Sequence, residues 1–276
     1  MKRSFSKLAI AFLALVGTAT IANAGPVFLT GHDPDFHAQP GAGAGGTLLS
    51  VGLQFATGGQ AFNSTQKFLW VESNPATVPG GHLRGVNGLT SIGLVAGTHF
   101  DQVNAAGLAS VVFSNYEAIA IASSFGGLLS RAELDGLIAR SADIAAFINA
   151  GGGLFASSEC FPCGANLLGG PTAPNLFGYL PVNVTSIGAN LPFTVTPFGV
   201  GLGLTNANVN DPTHNSFGLV GGLNIVDTDA QGNATTLAGV VSVGGGGFIP
   251  VPEPVSLALL GIGLAVLGLS RRKHAS

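Results

Sequence analysis

Short apolar runs separated by glycine-rich polar stretches dominate the pattern of this chain. Apolar runs of four or five residues between turn residues are typical of buried strands, and the pattern places such runs at 27–30, 67–71, 118–122 and 154–157. Apolar residues at helical spacing predict a helix over 47–56, between the first two strands. Strands that alternate with helices in this way indicate an α/β fold.

The clearest helical signal lies between the third and fourth of these strands. Ser130 and Glu133 have the spacing of a capping box, and the glycines at 151–153 are expected to end the helix. Apolar residues return at helical spacing between these limits, at Leu134, Leu137, Ile138, Ile144, Phe147 and Ile148. A strand, a helix and a second strand in this order predict a right-handed βαβ crossover, which requires parallel strands.

The remainder of the chain completes one predicted domain over residues 25–248. Further strands are expected at 224–226 and 236–243, and the segment 160–215, rich in Pro, Gly and Asn, is expected to form a long loop or small insertion over the sheet edge. A length of roughly 225 residues suits a single large domain with its own core. No internal repeat is evident.

The first 24 residues have the form of a secretory signal peptide. Lys2, Arg3 and Lys7 precede a short apolar run, and Ala22 and Ala24 provide the small residues that a signal peptidase accepts. We expect cleavage after Ala24, with an uncleaved membrane anchor as the alternative. Signal peptidase is therefore an expected processing enzyme.

Charge is sparse between the two ends of the chain. Six of the ten basic residues lie in the terminal segments, which leaves four basic residues against twelve acidic ones once Glu253 is set aside. A domain with a net charge of about −8 disfavours electrostatic binding to nucleic acid. No nucleic acid is expected among its partners.

The last residues, 249–276, combine a proline motif, an apolar run and a basic tail. Pro252, Glu253 and Pro254 precede an uncharged run of 16 residues, 255–270, which at 1.5 Å per residue reaches roughly 24 Å as a helix. This run predicts a short transmembrane helix, and the basic cluster 271–273 behind it would stay on the cytoplasmic side. A simple tail anchor would have the same physical form.

This three-part ending resembles the PEP-CTERM sorting signal of Gram-negative bacteria, with Pro252, Glu253 and Pro254 as the namesake motif. The resemblance covers only about the last 25 residues of the chain. It implies processing by an exosortase, a membrane transpeptidase. It also implies export across the inner membrane, transient anchoring by the C-terminal helix, and a final place at the cell surface, in the outer envelope or in an exopolysaccharide matrix.

The segment 116–159 resembles the central part of the class I glutamine amidotransferase-like fold. That resemblance implies a single three-layer, flavodoxin-like domain with a mostly parallel sheet, and a nucleophile on the tight turn after strand 154–157. Ser158 stands at that turn, followed by Glu159 and then Cys160, where active members favour glycine. Ser158 could act only with a base, and His214 is the one histidine after it before the tail. A catalytically silent copy of the fold is the favoured interpretation.

Cys160 and Cys163 are the only cysteines of the chain. In an exported protein a pair this close most simply forms a local disulfide. A redox dithiol is an alternative, because a helix N-terminus beside the first cysteine would lower its pKa. Free or metal-bound thiols are the remaining alternative.

Two histidines and two aspartates follow the first predicted strand, at His32, Asp33, Asp35 and His37. Ligand sites gather at the carboxyl ends of strands in open α/β sheets, and these residue types can bind a divalent metal ion. Asp33 before Pro34 is also a common turn opening, so ordinary turn chemistry is the competing interpretation. A divalent metal is the only cofactor that the sequence suggests.

Two classes of function follow from these observations. The first is a non-enzymatic exported protein of the surface or exopolysaccharide matrix, whose domain has a binding or structural role. The second is an exported hydrolase or metal-dependent enzyme that uses the cluster at 32–37 or the turn at Ser158. An enzyme would need His37 or His214 within hydrogen-bond reach of Ser158 or of a bound ion. No complete catalytic set is visible in the sequence, so the first class is favoured.

Overall fold

A computed structural model gives the fold of most of the predicted domain. It describes residues 24–40, 45–59, 67–78, 80–124, 126–159, 175–182, 184–187, 191–210, 215–218, 222–244 and 247–250.

Eleven strands belong to one sheet in the described part of the chain. They are β1 (Gly25–Thr30), β2 (Phe68–Val71), β3 (Phe100–Val103), β4 (Ala118–Ile121), β5 (Gly153–Ser157), β6 (Val184–Ile187), β7 (Thr194–Val195), β8 (Asn215–Phe217), β9 (Asn224–Thr228), β10 (Ala234–Gly244) and β11 (Gly247–Pro250). The strands predicted from apolar runs correspond to β1, β2, β4, β5, β9 and β10. The pattern of apolar runs does not predict β3, β6, β7, β8 or β11.

The sheet has a parallel side and an antiparallel side. Its main path runs β3, β2, β4, β5, β1, β10, β8, β6, and the neighbours from β3 to β1 are parallel. From β1 onward the neighbours pair in antiparallel orientation, and β9 and β11 both pair with β10. The mixed α/β class with a large sheet is thus confirmed, and the predicted parallel pairing of β4 with β5 is correct.

The strand order differs from the flavodoxin-like order implied by the amidotransferase resemblance. In that order the first strand lies between the second and third. Here β1 is bonded on one side to β5 and on the other, along its whole length, to β10, so neither side is left for β2.

Helices cover both faces of the sheet. They are α1 (Pro34–His37), α2 (Gly45–Ala56), α3 (Gly85–Ser91), α4 (Ala105–Leu108), α5 (Arg131–Ala139), α6 (Ser141–Asn149), α7 (Pro197–Gly201) and α8 (Asn206–Val209). Gly52 of α2 packs on Phe28, whereas Gly25 lies against the backbone of Ile148 in α6. Gly25 and Phe28 both belong to β1, and they face opposite sides of the sheet because one has an odd number and the other an even one. The two helices that contact them, α6 and α2, therefore cover opposite faces. The core between them is apolar and fully buried.

The helix predicted over 130–150 is in fact two helices that meet at Arg140. The capping box is present, since Glu133 accepts hydrogen bonds from the backbone N–H and the hydroxyl of Ser130. Arg140 leaves the helical conformation and donates to the carbonyls of Leu108 and Val111, at 2.9 and 2.7 Å. Its guanidinium also lies 3.9 Å from the ring centre of Phe113. These tertiary contacts explain a break that helical spacing alone could not predict.

The segment 160–215 contains more structure than the loop expected there. Its described residues include β6, β7, α7 and α8, and β7 extends the sheet by pairing with β9. Thr196 caps α7 by accepting a hydrogen bond from the N–H of Gly199. Short elements such as these have too few residues to show a period in sequence.

Several predictions concern residues outside the described ranges. They are the signal peptide before Ala24, the cysteine pair at 160 and 163, His214, the PEP motif at 252–254 and the apolar run 255–270. No helix within the described ranges is both long and apolar enough to span a membrane.

Candidate functional site

The carboxyl ends of β1, β2, β4 and β5 meet at one edge of the sheet, and many buried polar side chains lie there. Parallel strands place the residues that follow them at a common edge, where ligands bind in open α/β sheets. Four carboxylates there form what we call the acidic cluster: Asp33, Asp35, Glu72 and Glu159. Each of them is at most 7% exposed.

Asp35 is fully buried in the acidic cluster. Its Oδ2 atom accepts a hydrogen bond from the N–H of Ser123, at 2.9 Å, while Oδ1 has no hydrogen-bond partner among the described residues. Burial is the main reason that the pKa of Asp35 rises from 3.8 to about 6, and the nearby charge of Glu159 adds to the rise. Hydrogen bonds from Ser123 and from the Asp35 backbone oppose this rise without cancelling it, so ionisation of the buried carboxyl group has a net cost.

Glu72 lies beside Asp35 and has more hydrogen bonds. Its carboxylate accepts from the N–H groups of Gly85 and Val86, at 2.7 and 3.0 Å, and from the indole of Trp70, at 2.7 Å. Burial raises the pKa of Glu72 from 4.5 to about 7, the charge of Asp35 raises it further, and the three donors oppose the rise. Two neighbouring carboxyl groups thus titrate near neutral pH.

A pair of glycines after β4 allows the chain to pass close over the cluster. A Cβ atom on Gly126 would lie 2.2 Å from Asp33 Oδ2 and 2.9 Å from Glu159 Oε2, and a Cβ on Gly127 would lie 2.5 Å from Asp35 Oδ2. Only glycine fits at such distances without movement of its neighbours. The glycine pair therefore fixes how closely the backbone approaches three of the four carboxylates.

Histidines border the acidic cluster on two sides. His37 Nε2 lies 3.4 Å from Asp33 Oδ1, one helical turn away. His82 is 3% exposed; burial lowers its pKa, and the charge of Glu159 opposes that change. Protonation of the His82 imidazole would offset part of the negative charge of the cluster.

The four residues predicted as metal ligands do not share one site in the structure. His32 is directed away from the other three, and its Nε2 atom lies 2.9 Å from Asp227 Oδ2 on β9. The ring of His32 also packs edge-on against Phe193. Asp33, Asp35 and His37 stay on the side of the acidic cluster. Among the described residues, no group of three or more His, Cys, Asp or Glu has an arrangement that would hold a metal ion.

Ser158 follows β5 at the position predicted for a nucleophile, but its hydroxyl has another role here. The amide Nδ2 of Asn215 donates a hydrogen bond of 2.8 Å to Ser158 Oγ, and both residues are buried. An amide N–H cannot remove a proton from a hydroxyl, so Asn215 cannot act as a base. His37, the described histidine considered as a base, contacts Asp33 instead.

Sequence reasoning found Asp33, Asp35, Glu159 and His37 but gave no role to Glu72. A usable signal exists, because Glu72 directly follows the apolar run of β2, and a charged residue at the end of a buried strand faces the same edge. The glycine pair at 126 and 127 has no comparable signal, since the chain contains 43 glycines.

Comparison with known proteins concerns the end of the chain. The PEP-CTERM protein-sorting motif matches residues 250–273, which confirms the predicted sorting signal and indicates an exported protein that an exosortase processes and directs to the cell surface. No curated protein and no solved structure matches the chain, so the amidotransferase resemblance has no support there. The motif begins at Pro250, the last residue of β11.

Proposed function

We propose that this protein is an exosortase-processed component of the cell surface or exopolysaccharide matrix, and that its α/β domain has a binding or structural role without catalysis. The single observation that carries the proposal is the position of the sorting motif. It begins at Pro250, where the last strand of the described residues ends, so the described sheet precedes the signal in the exported chain.

The contacts of Ser158 and His37 favour a binding or structural role over hydrolysis. The hydroxyl of Ser158 accepts a hydrogen bond from the Asn215 amide, and His37 lies against Asp33, so neither of these contacts pairs Ser158 with a base. The acidic cluster at the same edge is the part of the domain best suited to bind a ligand, and a cationic group is the chemistry that would relieve its repulsion.

Processing is tested by the intact mass of the protein recovered from its native host. We expect a mass that lacks residues 1–24 and the residues after the PEP motif. Replacement of Pro252, Glu253 and Pro254 by Ala should leave the C-terminal tail in place, since the motif is then absent. His274→Ala changes the same tail outside the matched residues and should be processed normally.

Two outcomes would contradict the proposal. A full tail on both the unsubstituted chain and the triple variant would make the ending a permanent anchor. Processing followed by complete release of the domain into the culture medium would refute the surface or matrix role.

A further inference from the structure

The two ends of the domain that adjoin the signal segments lie side by side in the sheet. Gly25, the first residue after the predicted signal cleavage, pairs with Val241 of β10, and Pro250 pairs with Val241 from the other side. Both positions are at the end of the sheet where the parallel strands begin. The carboxyl edge lies at the other end of the same ladder, where Thr30 pairs with Thr236.

The described part of the domain ends at Pro250, where the sorting motif begins, and we call this residue the exit point. β9 pairs with the same side of β10 further along, where Asn224 lies opposite Ala238. A Cβ on Gly222 would lie 3.0 Å from the ring of Pro250, so the segment before β9 packs closely against the end of β11. The residue at which the sorting motif begins is therefore held within the sheet.

The hairpin that carries this exit point is held firmly to the helical layer. The side-chain amide of Asn149, at the end of α6, donates to the carbonyl of Val243 at 2.9 Å and accepts from the N–H of Val243 at 2.6 Å. Two hydrogen bonds to the backbone of one residue fix both the position and the orientation of β10 at this end. A membrane segment attached at Pro250 would consequently be attached to a rigid part of the domain.

An apolar surface, which we call the tether patch, surrounds the exit point. Val240 and Ile249 are 53% and 50% exposed, and they share one face because Ile249 pairs with Ser242, two residues after Val240. A groove of about 440 Å³ adjoins Val240 on that face. The tether patch consists of Pro26, Val51, Phe55, Leu202, Val240 and Ile249.

The predicted membrane segment starts close to the tether patch. Five peptide steps separate Pro250 from Val255, so a fully extended linker reaches at most roughly 18 Å, while the polar interfacial zone of a bilayer is only about 5 to 8 Å thick on each side. The groove has no charged lining residue among those described, which suits a neutral lipid surface better than a charged one.

We infer that the tether patch rests on the outer surface of the membrane while the precursor is anchored, with neutral phospholipid as its partner. The acidic cluster is at the opposite end of the strands, so this orientation presents the carboxyl edge away from the membrane before processing. The inference depends on the membrane segment of the proposed precursor, and it goes beyond the proposal by assigning which surface of the domain faces the lipid.

Quenching by brominated lipid tests this orientation on the full chain. Ile249→Trp and Val240→Trp place an indole in the tether patch, and Leu83→Trp places one on an exposed position beside the carboxyl edge, since the Leu83 N–H donates to the Gly126 carbonyl. The native Trp70 is fully buried and provides a constant background that also reports folding. Each variant is reconstituted into phosphatidylcholine vesicles with and without bromine on the acyl chains.

We expect both patch variants to lose about half of the added emission in brominated vesicles, because interfacial indoles lie next to the upper acyl chains, and we expect Leu83→Trp to lose none. If the protein floats with the vesicles but neither patch variant is quenched, the inferred orientation is wrong, although the membrane segment still anchors the chain. A second copy of the chain that covers the tether patch would give this result. Equal quenching of all three variants would also overturn it. Failure to float with the vesicles would refute the membrane segment and this inference, while processing and matrix association would still be judged by mass and location.

Discussion

Replacement of Asp35 by Asn should stabilise the folded domain at neutral pH. The Asn side chain has nearly the same shape, and its carbonyl oxygen can accept the hydrogen bond that Ser123 N–H now donates to Asp35 Oδ2. The amide nitrogen would take the place of Oδ1, which has no partner among the described residues. The substitution thus removes an ionisable group and can keep the hydrogen bond from the Ser123 N–H.

The magnitude follows from the pKa of Asp35, which burial raises from 3.8 to about 6. One pKa unit corresponds to 1.36 kcal/mol, so the ionised group lowers the free energy of unfolding by about 3 kcal/mol. The sign is that of an acid whose folded pKa lies above its unfolded value. The stability is present in full below pH 3.8, falls as the pH rises towards about 6, and stays reduced above it. Glu72 adds to this trend, because its own pKa rises to about 7.

Urea unfolding of the full chain near pH 4 and near pH 8 measures both effects. Between pH 4 and pH 8 the unsubstituted chain should lose about 3 kcal/mol more of its free energy of unfolding than Asp35→Asn loses, whatever constant cost the buried Asn amide adds. Asp135→Asn is the matched control, since Asp135 is exposed and its ion pair with Arg131 contributes at most about 1 kcal/mol. If the two chains lose the same free energy of unfolding between pH 4 and pH 8, then ionisation of Asp35 is not a net cost to the folded domain.

Two further substitutions test the backbone geometry at each end of the sheet. Gly126→Ala should lower the free energy of unfolding by about 1 to 3 kcal/mol, because its Cβ would overlap Asp33 Oδ2. Gly107→Ala is the control and should have little effect on urea unfolding, since its Cβ would make no contact closer than 3.4 Å. Equal effects of the two would refute the close approach. Asn149→Ala should increase hydrogen exchange in the β10–β11 hairpin and lower the free energy of unfolding by about 1 to 3 kcal/mol. Asn87→Ala, on the exposed surface of α3, is the control and should change neither quantity. Unchanged exchange in Asn149→Ala would show that other contacts hold the hairpin.

The central strands could be predicted from sequence because they are short, apolar and buried on both faces. Phe68–Val71 and Ala118–Ile121 have every residue buried, so an uninterrupted apolar run marks each one. β3 was missed because Phe100–Val103 is fully buried only at Phe100, so polar residues interrupt its apolar ones. β11 was missed because its pattern is exposed at Ile249 and Pro250, at the start of the sorting motif.

The candidate site was predicted in part because strand ends are local features, whereas its contacts are not. Asp33 and Asp35 are visible in sequence as acids directly after a strand. The pairing of His32 with Asp227 joins residues 195 positions apart, and no local pattern reports it. The same holds for the amide of Asn215, which reaches Ser158 across 57 positions. Sequence therefore indicated the correct edge of the sheet but not the partners of its side chains.

The ionised carboxylates of the acidic cluster lower the free energy of unfolding at neutral pH, and this cost bears on the role of the cluster. A fold that needed only stability would be improved by removing the Asp35 charge, since packing and the Ser123 hydrogen bond do not require it. Groups that destabilise the folded state at neutral pH and gather at the carboxyl edge of a parallel sheet are characteristic of functional sites. The tether patch lies at the opposite end, where the strands begin and the sorting signal leaves the sheet. An anchored precursor in the inferred orientation would therefore hold the edge that contains the acidic cluster away from the membrane lipid.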